Sequence, residues 1–79
     1  GKISSAVLKI SPSVFRINKK LRTIDTKFYD RNSLPADKGF KGPAIILQKD
    51  TTTVVPPTWI AKVDKASNLI LSKFGSKKG

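Results

Sequence analysis

Apolar positions along the chain come in short groups separated by breakers. The first group, Ala6-Val7-Leu8-Lys9-Ile10, runs into Ser11-Pro12-Ser13. Pro12 lacks a backbone donor and biases Ser11 away from helical angles, so a stop is expected there. Val14-Phe15-Arg16-Ile17 follows. The polar triplet Asn18-Lys19-Lys20 then separates it from Leu21-Arg22-Thr23-Ile24-Asp25-Thr26-Lys27-Phe28. Near-alternating order on both sides of a polar triplet predicts two paired strands and a hairpin turn. A helical start at residues 4–8, capped by Ser4 or Ser5, is the competing expectation, and Pro12 would limit it to about two turns.

Residues 29–42 are rich in Asp, Asn, Ser, Pro and Gly, the residues of a long surface connection. Regular patterning then returns. Pro43-Ala44-Ile45-Ile46-Leu47-Gln48 reads as an apolar strand, Lys49-Asp50 as a turn, and Thr51-Thr52-Thr53-Val54-Val55 as a β-branched strand ended by Pro56-Pro57. Trp59-Ile60-Ala61-Lys62-Val63 alternates large and polar residues, Asp64-Lys65-Ala66-Ser67-Asn68 supplies a turn, and Leu69-Ile70-Leu71 closes the pattern.

Composition agrees with this pattern. Ile, Val and Thr together account for 19 of 79 residues, while Glu and Met, both good helix formers, are absent. The expected fold is all-β, a small barrel or sandwich of about six or seven short strands. Residues 1–74 are expected to make a single β domain, and residues 75–79 a flexible basic tail. A chain of this length buries only roughly 60% of its unfolded surface, or a little more, so most large apolar side chains are committed to a thin core.

The absence of Cys and His removes disulfides, thiolate nucleophiles and the commonest transition-metal ligands. Five Asp remain as the only acids: Asp25, Asp30, Asp37, Asp50 and Asp64. Asp25 and Asp30 would face each other only if the following loop folded back, and carboxylates in so basic a chain more often pair with Lys or cap turns. Thr51, Thr52 and Thr53 offer hydroxyls without an imidazole to activate them, and a strand accounts for them. Gly39-Phe40-Lys41-Gly42 lacks the spacing and following helix of a phosphate loop, so its glycines are expected to serve a turn. No catalytic, cofactor-binding or metal-binding residue emerges.

The formal net charge is +11, enough to attract phosphate backbones or acidic surfaces. Yet the cations are spread along the chain and adjacent only at Lys19-Lys20 and Lys77-Lys78. Such spreading fits a solvated or partner-facing surface better than a nucleic-acid groove. The six rings of Phe15, Phe28, Tyr29, Phe40, Trp59 and Phe74 are barely enough for a core, leaving few stacking platforms. A free-standing basic β-barrel binding nucleic acid through Lys19, Lys20, Arg22, Arg31 and Lys41 is the alternative. Apolar runs fall far short of the roughly 20 residues of a membrane-spanning helix, and the N-terminus has no signal-peptide pattern, so a cytoplasmic location is expected.

Taken together, Tyr29-Asp30-Arg31, Leu34-Pro35, Gly42-Pro43-Ala44-Ile45-Ile46, Asp50-Thr51-Thr52-Thr53-Val54-Val55-Pro56-Pro57, Trp59, Val63-Asp64 and Asn68-Leu69-Ile70-Leu71 form a recognisable pattern. It resembles the C-terminal segment of the hydantoinase A/oxoprolinase family, over roughly residues 28–71. That family contains ATP-dependent enzymes that open cyclic amides such as hydantoins and oxoproline, together with acetone and acetophenone carboxylase subunits. The structural motif comprises Gly42, Pro43, Thr52, Thr53, Pro56, Pro57 and Trp59. The resemblance implies that ATP and a divalent metal belong to a larger, actin-like part of the parent enzyme. It also implies that this segment completes the large subunit and presents a surface to it or to a partner subunit. Thr58 stands where relatives usually carry Gly, implying a differently shaped bend or local strain. Leu47-Gln48-Lys49 replace the acids that commonly follow the Ile-Ile run.

Within the motif, Pro56-Pro57 should set an extended bend, and Trp59 should bury a large apolar body in the core.

Overall fold

A computed structural model describes residues 2–73. Seven strands form two sheets: β1 (Val7–Ile17), β2 (Lys20–Asp30), β4 (Ala44–Gln48) and β5 (Thr51–Val55) in one, and β3 (Gly39–Lys41), β6 (Trp59–Val63) and β7 (Leu69–Lys73) in the other. The orders are β1-β2-β4-β5 and β3-β6-β7. The two open sheets make a small sandwich-like all-β body, resolving the barrel-or-sandwich expectation toward the sandwich. The proposed tail at residues 75–79, with Phe74, lies outside the described residues.

Antiparallel ladders join β1 to β2, β4 to β5, β3 to β6 and β6 to β7, while β2 and β4 run parallel, with Lys27 opposite Ala44 and Asp30 opposite Leu47. A parallel pair needs a crossover. Here the chain leaves β2 through a 3-10 turn at Arg31–Ser33, lays β3 into the opposite sheet, and returns as β4. Residues 29–42 are therefore not the structureless connection their composition suggests. Gly39 and its neighbours pair with β6, which no local pattern announces because β3 is only three residues long.

Pro12 does not stop β1. The strand runs through it for 11 residues because β1 is the edge of its sheet. Counting by twos from Ile17 opposite Lys20, the pair closing the turn, Pro12 opposite Asp25 falls on a non-hydrogen-bonded pair. The missing N–H would have pointed away from β2, so the ladder loses nothing. Asn18 and Lys19 form the turn itself, with φ of 51° and 68°, the left-handed pair that matches strand twist in a two-residue hairpin. At the N-terminus a short 3-10 turn, Ile3–Ala6, replaces the expected α-helical start, and neither Ser4 nor Ser5 caps it.

Alternation places the core between the sheets. Tyr29 from β2, Ala44 and Ile46 from β4, Val55 from β5, Phe40 from β3 and Ala61 and Val63 from β6 are buried together with Ala6 and Leu34. Tyr29 and Phe40 bring their ring centroids to 4.5 Å across the gap, and burial pushes the Tyr29 phenol above its usual pKa. Thr26 is the one buried polar residue among those described, its hydroxyl donating to the Ile24 carbonyl at 2.8 Å.

Candidate functional site

Gly42, Pro43, Pro56, Pro57 and Trp59 of the motif lie where the chain changes sheets, while Thr52 and Thr53 lie within β5. The chain leaves β3 for β4 through Gly42-Pro43, a cis peptide, and leaves β5 for β6 through Pro56, Pro57 and Thr58. These two crossings abut. The Gly42 N–H donates to the Trp59 carbonyl at 2.8 Å, extending the β3–β6 ladder by one bond, and the Trp59 N–H donates to the Pro56 carbonyl at 3.0 Å, closing a tight turn. A β-carbon on Gly42 would overlap the Pro56 carbonyl oxygen and stand 2.7 Å from that of Val55. Glycine is required here for space: two backbones touch, and neither can yield as a side-chain tip would.

Trp59 is half-buried and packs against the edge of the core. Thr58 lies outside the left-handed region, so no backbone strain arises at that position. Thr53 faces inward opposite Ile46 and is half-buried, whereas Thr52, opposite Leu47, is exposed. The site the sequence motif marks is thus a structural joint: backbone hydrogen bonds fix Gly42 and Pro56 to Trp59, and close contact with the Val55 and Pro56 carbonyls sets the two sheet-to-sheet crossings against each other.

Two concavities flank the body. The larger, about 540 Å³, lies between the inner face of β2 and β3, and its lining includes Asp25, Lys27, Tyr29, Phe40 and Lys41. The smaller, about 240 Å³, brings Arg16, Ile17 and Asn18 at the hairpin end beside Pro56, Pro57, Thr58 and Lys73. Asp25 and Asp30 do not form a pair. Five residues apart on one strand, they project from opposite faces, and Asp30 accepts a hydrogen bond from the Ser33 hydroxyl at 2.6 Å. Among the described residues no three acidic side chains gather as a metal cage.

The basic residues considered for a nucleic-acid surface divide into separate places. Lys19, Lys20 and Arg22 share the hairpin end of β2. Arg31 lies beyond the opposite end of that strand, roughly 30 Å from Arg22 at ~3.3 Å per residue, and its guanidinium donates to the Ser67 carbonyl at 2.6 Å. Lys41 sits on β3 in the other sheet.

The turn expected at residues 64–68 is present between β6 and β7, and Asp64 organises it. Its carboxylate accepts the backbone N–H of Asn68 at 2.8 Å and of Ala66 at 2.9 Å, and the Asn68 side-chain amide at 3.3 Å. These bonds, the Asn68 N–H foremost, hold the carboxyl below its usual pKa. The Asp-x-x-x-Asn spacing within a turn was the available signal.

The architecture is a two-sheet body closed by a glycine- and proline-built crossing. Residues 12–73 match the hydantoinase/oxoprolinase C-terminal domain, and the chain belongs to that family. It is also similar to an uncharacterized protein of Methanocaldococcus jannaschii, 42% identical over 41 residues, a match covering 52% of this chain and 6% of that protein. The chain thus corresponds to a small part of that relative's length. No helix among the described residues is long and apolar enough to cross a membrane.

Proposed function

We propose that this chain is a non-catalytic C-terminal domain of an ATP-dependent, cytoplasmic hydantoinase/oxoprolinase-type enzyme, acting through packing and subunit contacts while the larger part hydrolyses a cyclic amide. The supporting observation is the family match over residues 12–73, laid on a body whose motif residues build a sheet-to-sheet joint. Such a joint gives the module a fixed shape. Its charge and its exposed apolar residues, Leu8, Ile10, Val14, Leu21, Val54 and Ile70, give that shape something to bind with. ATP and the divalent metal act in the larger part, and the residues of this chain hold that part, or a partner subunit, in place.

Complementation tests the reading. A hydantoinase/oxoprolinase-type large subunit made without its C-terminal segment is mixed with the 79-residue chain, and association and ATP-dependent ring opening are measured. Binding, with recovery of activity or assembly, is expected. Turnover of a cyclic amide by the chain alone, lost on changing one of its own Asp or Lys residues, would overturn it. The alternative, nucleic-acid binding, draws on Lys19, Lys20 and Arg22 at the hairpin end. It predicts oligonucleotide binding that survives about 150 mM salt.

A further inference from the structure

The β1–β2 hairpin is longer than the strand that pairs with it inside its sheet. β4 pairs with β2 only over residues 27–30, so residues 20–26 and their partners on β1 form a two-stranded arm; its even-numbered β2 face turns inward, with Thr26 buried and Ile24 and Phe15 half-buried, and its tip lies beside Pro56, Pro57 and Thr58. Along β2 the odd-numbered residues share one face. At one end of that face Tyr29 is buried against Phe40, which makes that end core-facing. Further out the same face carries Lys27 opposite Ile10, Asp25 opposite Pro12, Thr23 opposite Val14 and Leu21 opposite Arg16. Ile10, Val14 and Leu21 are 60%, 61% and 68% exposed. This odd-numbered face of the arm is left bare, because β3, the strand that covers Tyr29, is only three residues long.

We propose that this face of the arm docks onto a protein surface with an aliphatic centre and a carboxylate rim, carried by the remainder of the parent subunit. The proposal rests on the functional reading above. Aliphatic side chains grouped on one face gain free energy only by meeting other apolar groups. Arg16 and Lys27 lie on the face, and Lys19 and Lys20 stand at the tip, against a single acid, Asp25. A second copy of the chain would bring the same cations together, so charge complementarity selects an acidic partner. Nucleic acid is a poorer fit, because bases stack on rings. The hairpin's Phe15 and Phe28 stand on the opposite face, paired with Arg22 and Lys9, with the Lys9 ammonium 4.7 Å above the Phe28 ring.

The experiment measures binding of the chain to the large subunit lacking its C-terminal segment, across a salt series, with three variants. Val14→Asp with Leu21→Asp should weaken binding about tenfold or more, as loss of central apolar anchors does. Arg16→Glu with Lys27→Glu should weaken binding at low salt and flatten the salt dependence. Ile70→Asp, at an exposed apolar position on β7, should bind as the unaltered chain does. Circular dichroism and the Trp59 melting curve establish that each variant is folded. Arm variants that are folded and bind normally, or an Ile70→Asp chain that binds as poorly as they do, would overturn the assignment of this face while leaving the functional reading intact. An unaltered chain that fails to bind would remove the functional reading itself and this proposal with it. Displacement of the subunit by a single-stranded oligonucleotide, with the arm variants losing that binding, would make nucleic acid the occupant and overturn the proposal.

Discussion

Gly42→Ala should be the most damaging single-methyl change on this chain. The added carbon would overlap the Pro56 carbonyl oxygen, approach the Val55 carbonyl oxygen to 2.7 Å and the Pro56 carbonyl carbon to 2.8 Å. All three are backbone atoms in the crossing between β5 and β6. Relief requires separating the two crossings, which stretches the Gly42 N–H bond to the Trp59 carbonyl. Overpacking of this kind costs about 1–3 kcal/mol and a net hydrogen bond about 1 kcal/mol, so the expected loss is roughly 2–4 kcal/mol. Against a total of roughly 4–12 kcal/mol for a chain of this length, that is a large fraction. At about 4–8 °C per kcal/mol the melting temperature should fall by roughly 10–30 °C. Urea and thermal unfolding followed by Trp59 fluorescence measure it directly, since Trp59 belongs to the joint. Gly39→Ala is the control: its β-carbon would meet only the Ile60 methyl at 3.4 Å and the Ala61 carbonyl at 3.7 Å, and should cost less than about 1 kcal/mol. A Gly42→Ala chain within about 1 kcal/mol of the unaltered protein, or a Gly39→Ala chain equally destabilised, would refute the steric argument.

Ile46, 2% exposed at the centre of the core, should lose about 2–5 kcal/mol on Ile46→Ala, read as a drop in urea midpoint with an unchanged slope. Lys19→Gly should raise stability by roughly 0.5–1 kcal/mol, because Lys19 holds φ at 68° in the hairpin turn; thermal melts check this. Asp64 gives a pH signature. Its folded-state pKa lies below the unfolded value, so its contribution is present above the ordinary carboxylate pKa and is lost as pH falls through the depressed folded value. Protection of the Ala66 and Asn68 amides, taken relative to their intrinsic exchange rates, should fall over that acid range, and in Asp64→Ala it should be low at every pH.

The alternation of apolar and polar residues determined the strand-rich character of the chain, the two hairpins of the second half and the turn at Asn18-Lys19, because these depend on neighbours within about ten residues. The Gly-Pro and Pro-Pro crossings were legible as punctuation, and the family motif as a pattern of residues. Their role as one joint was not. Gly42 and Pro56 are brought together only when both sheets are assembled, and nothing near Gly42 in sequence states that a carbonyl will lie against its α-carbon. β3 was likewise invisible, since three residues carry too little periodicity and its partner, β6, lies some twenty residues away. Pro12 reads as a break by its own chemistry and is harmless only because sheet order makes β1 an edge and register turns its missing donor outward. Solvent exposure of Ile10, Val14 and Leu21 was decided the same way: their apolar pattern addresses a core, and the length of the opposing strand determines whether one reaches them.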